Sequence, residues 1–431
     1  MMRCGHPHPL FNMNNGYISM ARRFSHNARA YVAYYFLLSI HLGIYGVIFN
    51  LYILRLGFRE DLLGLMLSIV FISTGLAALP AATLCDRLGR KNTLLISILI
   101  TSSALFLLYT IVSPEWLLAL SALYGVGTAL YTVAGSPFLM ENSSPDERMH
   151  LFSINSALSQ VAYIIGCMAG GLMPGMLARM GFDAASPAIY RYTLFLSLAL
   201  IVLSAIPVLK MKENRCEANQ TGRLSVIGSA IKSANVQKLV IINGLVGVGA
   251  GMIVPFFNVY FHSLLSATTD QIGLIFSTGE MAMVIGLMAI PLAVERLGKI
   301  RTIAFTELAS IPFLVVLAFT TNIYVAAFAY IMRMTLMNMA NPAINSFNME
   351  LVSGEQRATV SSLTSMSWYL CQSLSAYVSG IMMARSNYVL PFMVTCVAYL
   401  CSASLYYVFF YNAEKRAPTR PMAGVATPAK R

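Results

Sequence analysis

Between residues 31 and 411 the chain holds twelve apolar runs, each long enough to cross about 30 Å of hydrocarbon as a helix. They fall near 31–54, 62–84, 93–112, 116–140, 152–178, 191–209, 237–262, 270–293, 302–320, 322–346, 358–384 and 388–411. Charge is correspondingly scarce: 11% of residues are charged and 57% hydrophobic, where soluble domains average about 25% charged. The pattern predicts an all-α membrane protein with twelve transmembrane helices.

Against that scarcity, LCDRLGRKN (84–92) packs Asp86, Arg87, Arg90 and Lys91 into one short knot between two apolar runs. The knot has an echo. Asp86-Arg87-Leu88-Gly89 recurs as Glu295-Arg296-Leu297-Gly298, an offset of 209. At the same offset Met140-Glu141 and Arg148 recur as Met349-Glu350 and Arg357, and Gly64 as Gly273. FNLY (49–52) recurs as FNVY (257–260) at 208, which implies a one-residue length change further along. Agreement in one register predicts two parallel six-helix halves, residues 30–209 and 237–412. A polar, basic linker at 210–236 joins them, with tails at 1–29 and 413–431. Paired six-span halves are how many secondary transporters are built.

Placing both termini in the cytoplasm puts 23 of the 29 Lys and Arg residues inside, including Arg22 and Arg23 as the basic flank of a retained first span. Five then lie outside, and Arg333 falls within a span. This is a strong positive-inside bias. The net charge of +12 is therefore read as topology and attraction to anionic lipid, not as a nucleic-acid footprint. The seven cysteines are scattered with no C-x-x-C pair, and Cys4, His6 and His8 are read as a polar tail, so neither a disulfide framework nor a metal site is expected.

These motifs resemble the major facilitator superfamily. ATLCDRLGRK (82–91) is similar to the signature of its loop between spans two and three, with Ala82 where Gly is usual, and PLAVERLGKI (291–300) is a degenerate second copy. Glu141-x6-Arg148 and Glu350-x6-Arg357 are similar to the acidic–basic pairs many members carry after spans four and ten. The resemblance covers residues 30–412 and implies a cytoplasmic gate built from Asp86, Arg87, Gly89, Arg90, Glu141, Arg148, Glu295, Arg296, Gly298, Glu350 and Arg357. It further implies that Arg90 reaches Glu141 or a nearby carboxylate, that Lys299 supplies the equivalent positive charge, and that Asp86 faces the start of span eleven. Such exposed pairs contribute about 0–1 kcal/mol each, so the latch can open.

Ionisable groups deep in a span are functional candidates by default. Glu280 in span eight and Arg333 in span ten stand near mid-bilayer, and their first-half equivalents, Phe71 and Tyr124, are neutral. They are candidates for proton coupling or for an anionic substrate group, with a structural ion pair as the competing reading. Glu307 is expected at the interface. Cavity candidates are His41, Tyr45, Tyr124, Gln160, Asn341, Tyr369 and Gln372. Tyr52 and Tyr260, with Asn50 and Asn258, are read as either an outer gate or helix-end packing, and Asn341-Pro342 marks a break in span ten.

IIGCMAGGLMPGM (164–176) resembles an antiporter signature with its proline displaced, and the sugar-porter run expected in span seven is missing. The leading expectation is a monomeric cell-membrane transporter, without cofactor or metal, exporting a small amphiphilic compound by proton-coupled alternating access. Uptake of a sugar or other small organic solute is the alternative, then a non-transporting membrane sensor. A membrane enzyme is disfavoured because His41, the only mid-span histidine, has no carboxylate in its own span.

Overall fold

A computed structural model describes residues 24–213, 232–352 and 357–416. Cys4, His6, His8, Arg22, Arg23 and Cys216 lie outside them, as do most of the 210–236 linker and of the 413–431 tail.

The described chain is helical throughout. The first half comprises α1 (His26–Arg55), α2 (Glu60–Leu88), α3 (Arg90–Thr110), α4 (Pro114–Glu141), α5 (Pro145–Arg179) and α6 (Ala188–Leu209). The second comprises α7 (Ala234–Leu264), α8 (Thr269–Leu297), α9 (Lys299–Phe319), α10 (Ile323–Glu350), α11 (Arg357–Ala384) and α12 (Val389–Arg416). Eleven of these are long and apolar enough to cross a membrane. The exception is α11, 28 residues long but carrying the serine-rich stretch 361–377. The chain divides into two compact units between residues 219 and 220, with Thr268–Ser277 grouped with the first.

Helix ends follow the residues at hand. The Ser25 hydroxyl accepts from Ala28 N at 3.1 Å to start α1. Ser144 and Glu147 form a capping box ahead of α5, with Pro145 where a missing N–H costs nothing. Asn322 accepts from Tyr324 N and Val325 N to start α10.

The repeat read in the sequence reappears as repeated bonds. Gly89 and Gly298 break the chain between α2 and α3, and between α8 and α9, at φ 89°, ψ 163° and φ 86°, ψ 164°. Near the far end of each half, Tyr52 donates to Tyr109 O at 2.9 Å and Tyr260 to Leu317 O at 2.7 Å. Both rings are fully buried, so these tyrosines are packing pins inside their own halves. In α7 a 3₁₀ turn at Val254–Phe256 gives way to a π-helical segment, Tyr260–Leu264. A π turn accommodates one extra residue, which accounts for the change of offset from 208 to 209 between Tyr260 and Gly273.

Close helix pairs are set by small residues. A Cβ on Gly43 of α1 would meet backbone of α5 at Tyr163 O and Cys167 N, 2.4 and 2.7 Å away. Its second-half equivalent, Gly251 of α7, lies equally tight against Gln372 and Ser375 of α11. Gly125 of α4 touches Val70 and Ser73 of α2, and Gly279 and Gly286 of α8 touch α10 at Tyr330, Met334, Thr335 and Met339. In α10 the helix stops at Met339 and restarts at Asn341, with Pro342 in its first turn, the break expected from Asn341-Pro342.

Candidate functional site

At the knot, Gly89 turns the chain so that Arg90 points back over α2. One Nη1 donates to Asp86 Oδ1 at 2.7 Å and to Cys85 Sγ at 3.1 Å, while Nε donates to Glu141 Oε1 of α4 at 3.2 Å. One guanidinium thus ties three helices of the first half. At the matching place Lys299 donates to Glu350 Oε1 and Oε2 at 2.6 and 2.7 Å and to Ser346 Oγ at 3.1 Å. The two basic residues reach carboxylates one repeat apart, as the resemblance implied.

The acidic–basic pairs of the sequence are not partners of one another. Arg148 Nη2 donates to the carbonyl of Met140 at 3.3 Å, and Arg357 Nε to that of Met349 at 3.1 Å. Each arginine covers a carbonyl at the C-terminus of the preceding helix, that of Met140 shared with Ser143 Oγ at 3.3 Å, where positive charge is favoured. The paired glutamates are thereby left to Arg90 and Lys299. Arg87, Glu295 and Arg296 are exposed.

Sequence reasoning missed a strap on the first half. Lys91 Nζ donates to Leu209 O at 3.0 Å and Met211 O at 2.7 Å, capping α6. Glu213 accepts from Asn92 N at 3.3 Å, placing a carboxylate at the N-terminus of α3, where the dipole favours it. Asn27 both donates to Lys212 O and accepts from Lys212 N, at 2.9 and 2.8 Å. The signal was an asymmetry: position 300, the repeat partner of Lys91, is isoleucine.

Deeper in the second half, Arg333 is 3% exposed. Its Nη2 donates to the Tyr399 hydroxyl at 2.7 Å, and the guanidinium lies 5.5 Å from the Phe257 ring centroid and 5.7 Å from that of Tyr399. Its Nε has no hydrogen-bond partner among the described residues. Glu280 of α8 is buried at 9% exposure. In the first half, Tyr45 stacks on Phe49 and Tyr124 with centroids 4.5 and 5.4 Å apart. Phe49 and Tyr124 are the repeat equivalents of Phe257 and Arg333, so an arginine–aromatic contact replaces part of an aromatic stack.

A model of the Major Facilitator Superfamily matches residues 31–376, and again residues 239–429. The chain belongs to that superfamily. Its fold is similar to the crystal structure of the nucleoside transporter NupG, at TM-score 0.74 and 14% identity, covering 89% of this chain and 99% of that one. It is similar too to a bacterial homologue of the human lysosomal transporter Spinster in an inward-facing, unoccupied conformation, at TM-score 0.73 and 15% identity, covering 94% and 100%. A comparison with curated proteins finds no match. The superfamily membership makes this a membrane transporter.

Within that superfamily fold the remaining candidates scatter. His41 is fully buried, facing Ser197 of α6, and neither ring nitrogen completes a hydrogen bond among the described residues. The packing of α1 on α6 thus encloses a side chain expected to line a cavity. Gln372 is 5% exposed, its Oε1 without a hydrogen-bond partner among the described residues, in the crevice where α11 meets Gly251 of α7. Tyr369 is half-buried beside Trp368, Gln160 is half-buried, and Asn341 is exposed. No cluster of three or more His, Cys, Asp or Glu suited to a metal occurs among the described residues.

Glu307, expected at the interface, lies further along its helix than the apolar boundary near 302 implied. The helix that carries it starts at Lys299, so the residue sits eight positions in, about 12 Å along the axis at 1.5 Å per residue. It is 5% exposed within the protein.

Proposed function

We propose that this superfamily member is a secondary active transporter of the cell membrane, monomeric, with both termini cytoplasmic, moving a small amphiphilic compound outward in exchange for protons. The observation that carries the reading is the retention of Glu280 and Arg333 in the membrane-spanning part of the second half, both buried. A charge at the helix centre costs about 2.5–3.5 kcal/mol on insertion scales and persists where it serves an ion or substrate path. The aromatic faces around Arg333 and the stacked Tyr45, Phe49 and Tyr124 suit flat, partly apolar solutes. The proposed cytoplasmic gate lies at the knots, each held in shape within its own half by Arg90–Glu141 and Lys299–Glu350.

The test is flux in proteoliposomes. A pH gradient is expected to accelerate movement of a hit from a ligand-stabilisation screen, opposite to proton flow. Glu280→Gln is expected to abolish that acceleration while equilibrium exchange continues. Acceleration in the same direction as proton flow would establish uptake instead, and indifference to the gradient in the unmodified protein would remove proton coupling.

A further inference from the structure

Helix α5 carries two glycine faces. Gly166 and Gly170 turn to α1: a Cβ added to Gly170 would stand 3.0 Å from Ile44 Cα, and one on Gly166 would run into the Ile40 carbonyl. Gly171, one position on, turns instead to the start of α8. A Cβ there would stand 2.7 Å from Thr269 O and 2.9 Å from Gly273 Cα. One on Gly273 would stand 2.6 Å from Cys167 O and 2.9 Å from Gly171 Cα. A turn further along α8, buried Ser277 donates to Ile164 O at 3.2 Å. The two helices therefore cross backbone on backbone, with no side chain interposed at the glycines. The crossing lies at the start of α8, away from the knot at Glu295–Gly298.

Both sides of this crossing belong to the first compact unit, which takes in Thr268–Ser277, whereas α8 runs on unbroken to Leu297 with its later residues in the second unit. One helix is thus shared. If the halves of a secondary transporter rock, such a helix must either let go of α5 or bend. Backbone contacts at glycine can part and re-form with no side chain to disengage. Glu280 stands seven positions after Gly273, on the same face of α8 and about 10 Å further along it. Along α8 the crossing therefore comes between the far end and that carboxylate.

We propose that the Gly171–Gly273 crossing, tied by Ser277, is the gate at the end opposite the knots, closed in this structure and required to part for solute to pass that end. The inference rests on the transport reading, but not on its direction or its proton coupling. The reporter is native Cys167, which shares the Gly171 face of α5 and is fully buried. In a reconstituted chain whose other cysteines are replaced by serine, its reaction with a small thiol reagent is timed. Gly171→Ala and Gly273→Ala are each expected to speed that reaction several-fold, and Gly273→Trp further, with net flux lost. Gly175→Ala is the control, because Gly175, one turn beyond Gly171, has open space where its Cβ would go, and its rate is expected to match that of the unmodified chain. A compound that the unmodified chain carries in flux is expected to change the Cys167 rate there and not in Gly273→Trp. Alanine variants that label no faster than Gly175→Ala would mean that α8 bends instead, and overturn the proposal. Indifference of the rate to the carried compound, or loss of folded protein in both alanine variants, would mark a permanent packing contact and overturn it equally. Absence of flux in the unmodified chain, with the glycine variants labelling as expected, would instead remove the transport reading alone.

Discussion

Arg90 holds two carboxylates from a half-buried position, whereas Lys299 holds one that is largely exposed. Hydrogen bonds to charged groups contribute about 1.5–3 kcal/mol when shielded from water, and exposed ion pairs about 0–1 kcal/mol. Arg90→Ala is therefore expected to lower the unfolding midpoint in detergent clearly more than Lys299→Ala, and equal losses would show that burial does not separate the two latches. A second comparison uses the tyrosine pins. Tyr52→Phe and Tyr260→Phe each remove one buried O–H donor and leave a carbonyl behind, a loss of about 0.5–1.5 kcal/mol apiece. Tyr52→Phe also gives up the hydrogen bond its hydroxyl accepts from Arg191 Nε at 3.2 Å, so its midpoint is expected to fall at least as far as that of Tyr260→Phe. Residue chemistry was also where sequence reasoning met its limit. The depth of Glu307 depended on where α9 begins, and Gly298, not the apolar boundary near 302, sets that start. His41 read as cavity-lining because its stripe holds tyrosines, but it is fully buried against Ser197, about 150 residues further on.

At the scale of elements, two kinds of glycine do different work. Gly89 and Gly298 occupy a backbone region that is essentially closed to other residues, with costs of order 1–3 kcal/mol. Alanine at either position is expected to destabilise by that amount, and Gly89→Ala adds a clash with the Glu213 carboxylate, whose flexible end can move aside. Gly43 and Gly251 have ordinary helical geometry but no room, because a backbone carbonyl of the facing helix, that of Tyr163 and of Gln372, would stand 2.4 Å from an added Cβ. Gly43→Leu and Gly251→Leu are expected to push α1 from α5 and α7 from α11, read as loss of folded protein on size exclusion. Persistence of a monodisperse Gly43→Leu protein would mean that the pair can slide. Most of this level was legible: the spans, the knots, the α10 break and the extra residue in α7 all left marks in the sequence. The pairing of Arg148 with a carbonyl did not, because a cation seven residues after a glutamate looks like its partner until the helix end between them is seen.

For the whole molecule, the offset of 209 was the most informative observation, since it converted scattered charges into matched positions that the bonds of each half then repeat. Substrate left no comparable mark, because the side chains that distinguish the halves are few and chemically permissive. Orientation, by contrast, is a property of the entire charge distribution, 23 of 29 basic residues on one assigned side, and it can be tested as such. Ala185 sits exposed in the α5–α6 connection, close to Arg55, whose Nη2 donates to Ala184 O at 2.7 Å. Leu88 is exposed at the opposite end of the first half, beside Gly89. In a background lacking the seven native cysteines, Ala185→Cys is expected to react with a membrane-impermeant thiol reagent in intact cells, and Leu88→Cys only in inverted vesicles. The bias toward basic cytoplasmic loops acts on short loops near the span ends, which is where nearly all the described basic residues of this chain lie. The reverse labelling pattern would mean that the charge count does not set the topology here, and the knots would then close the carrier from outside.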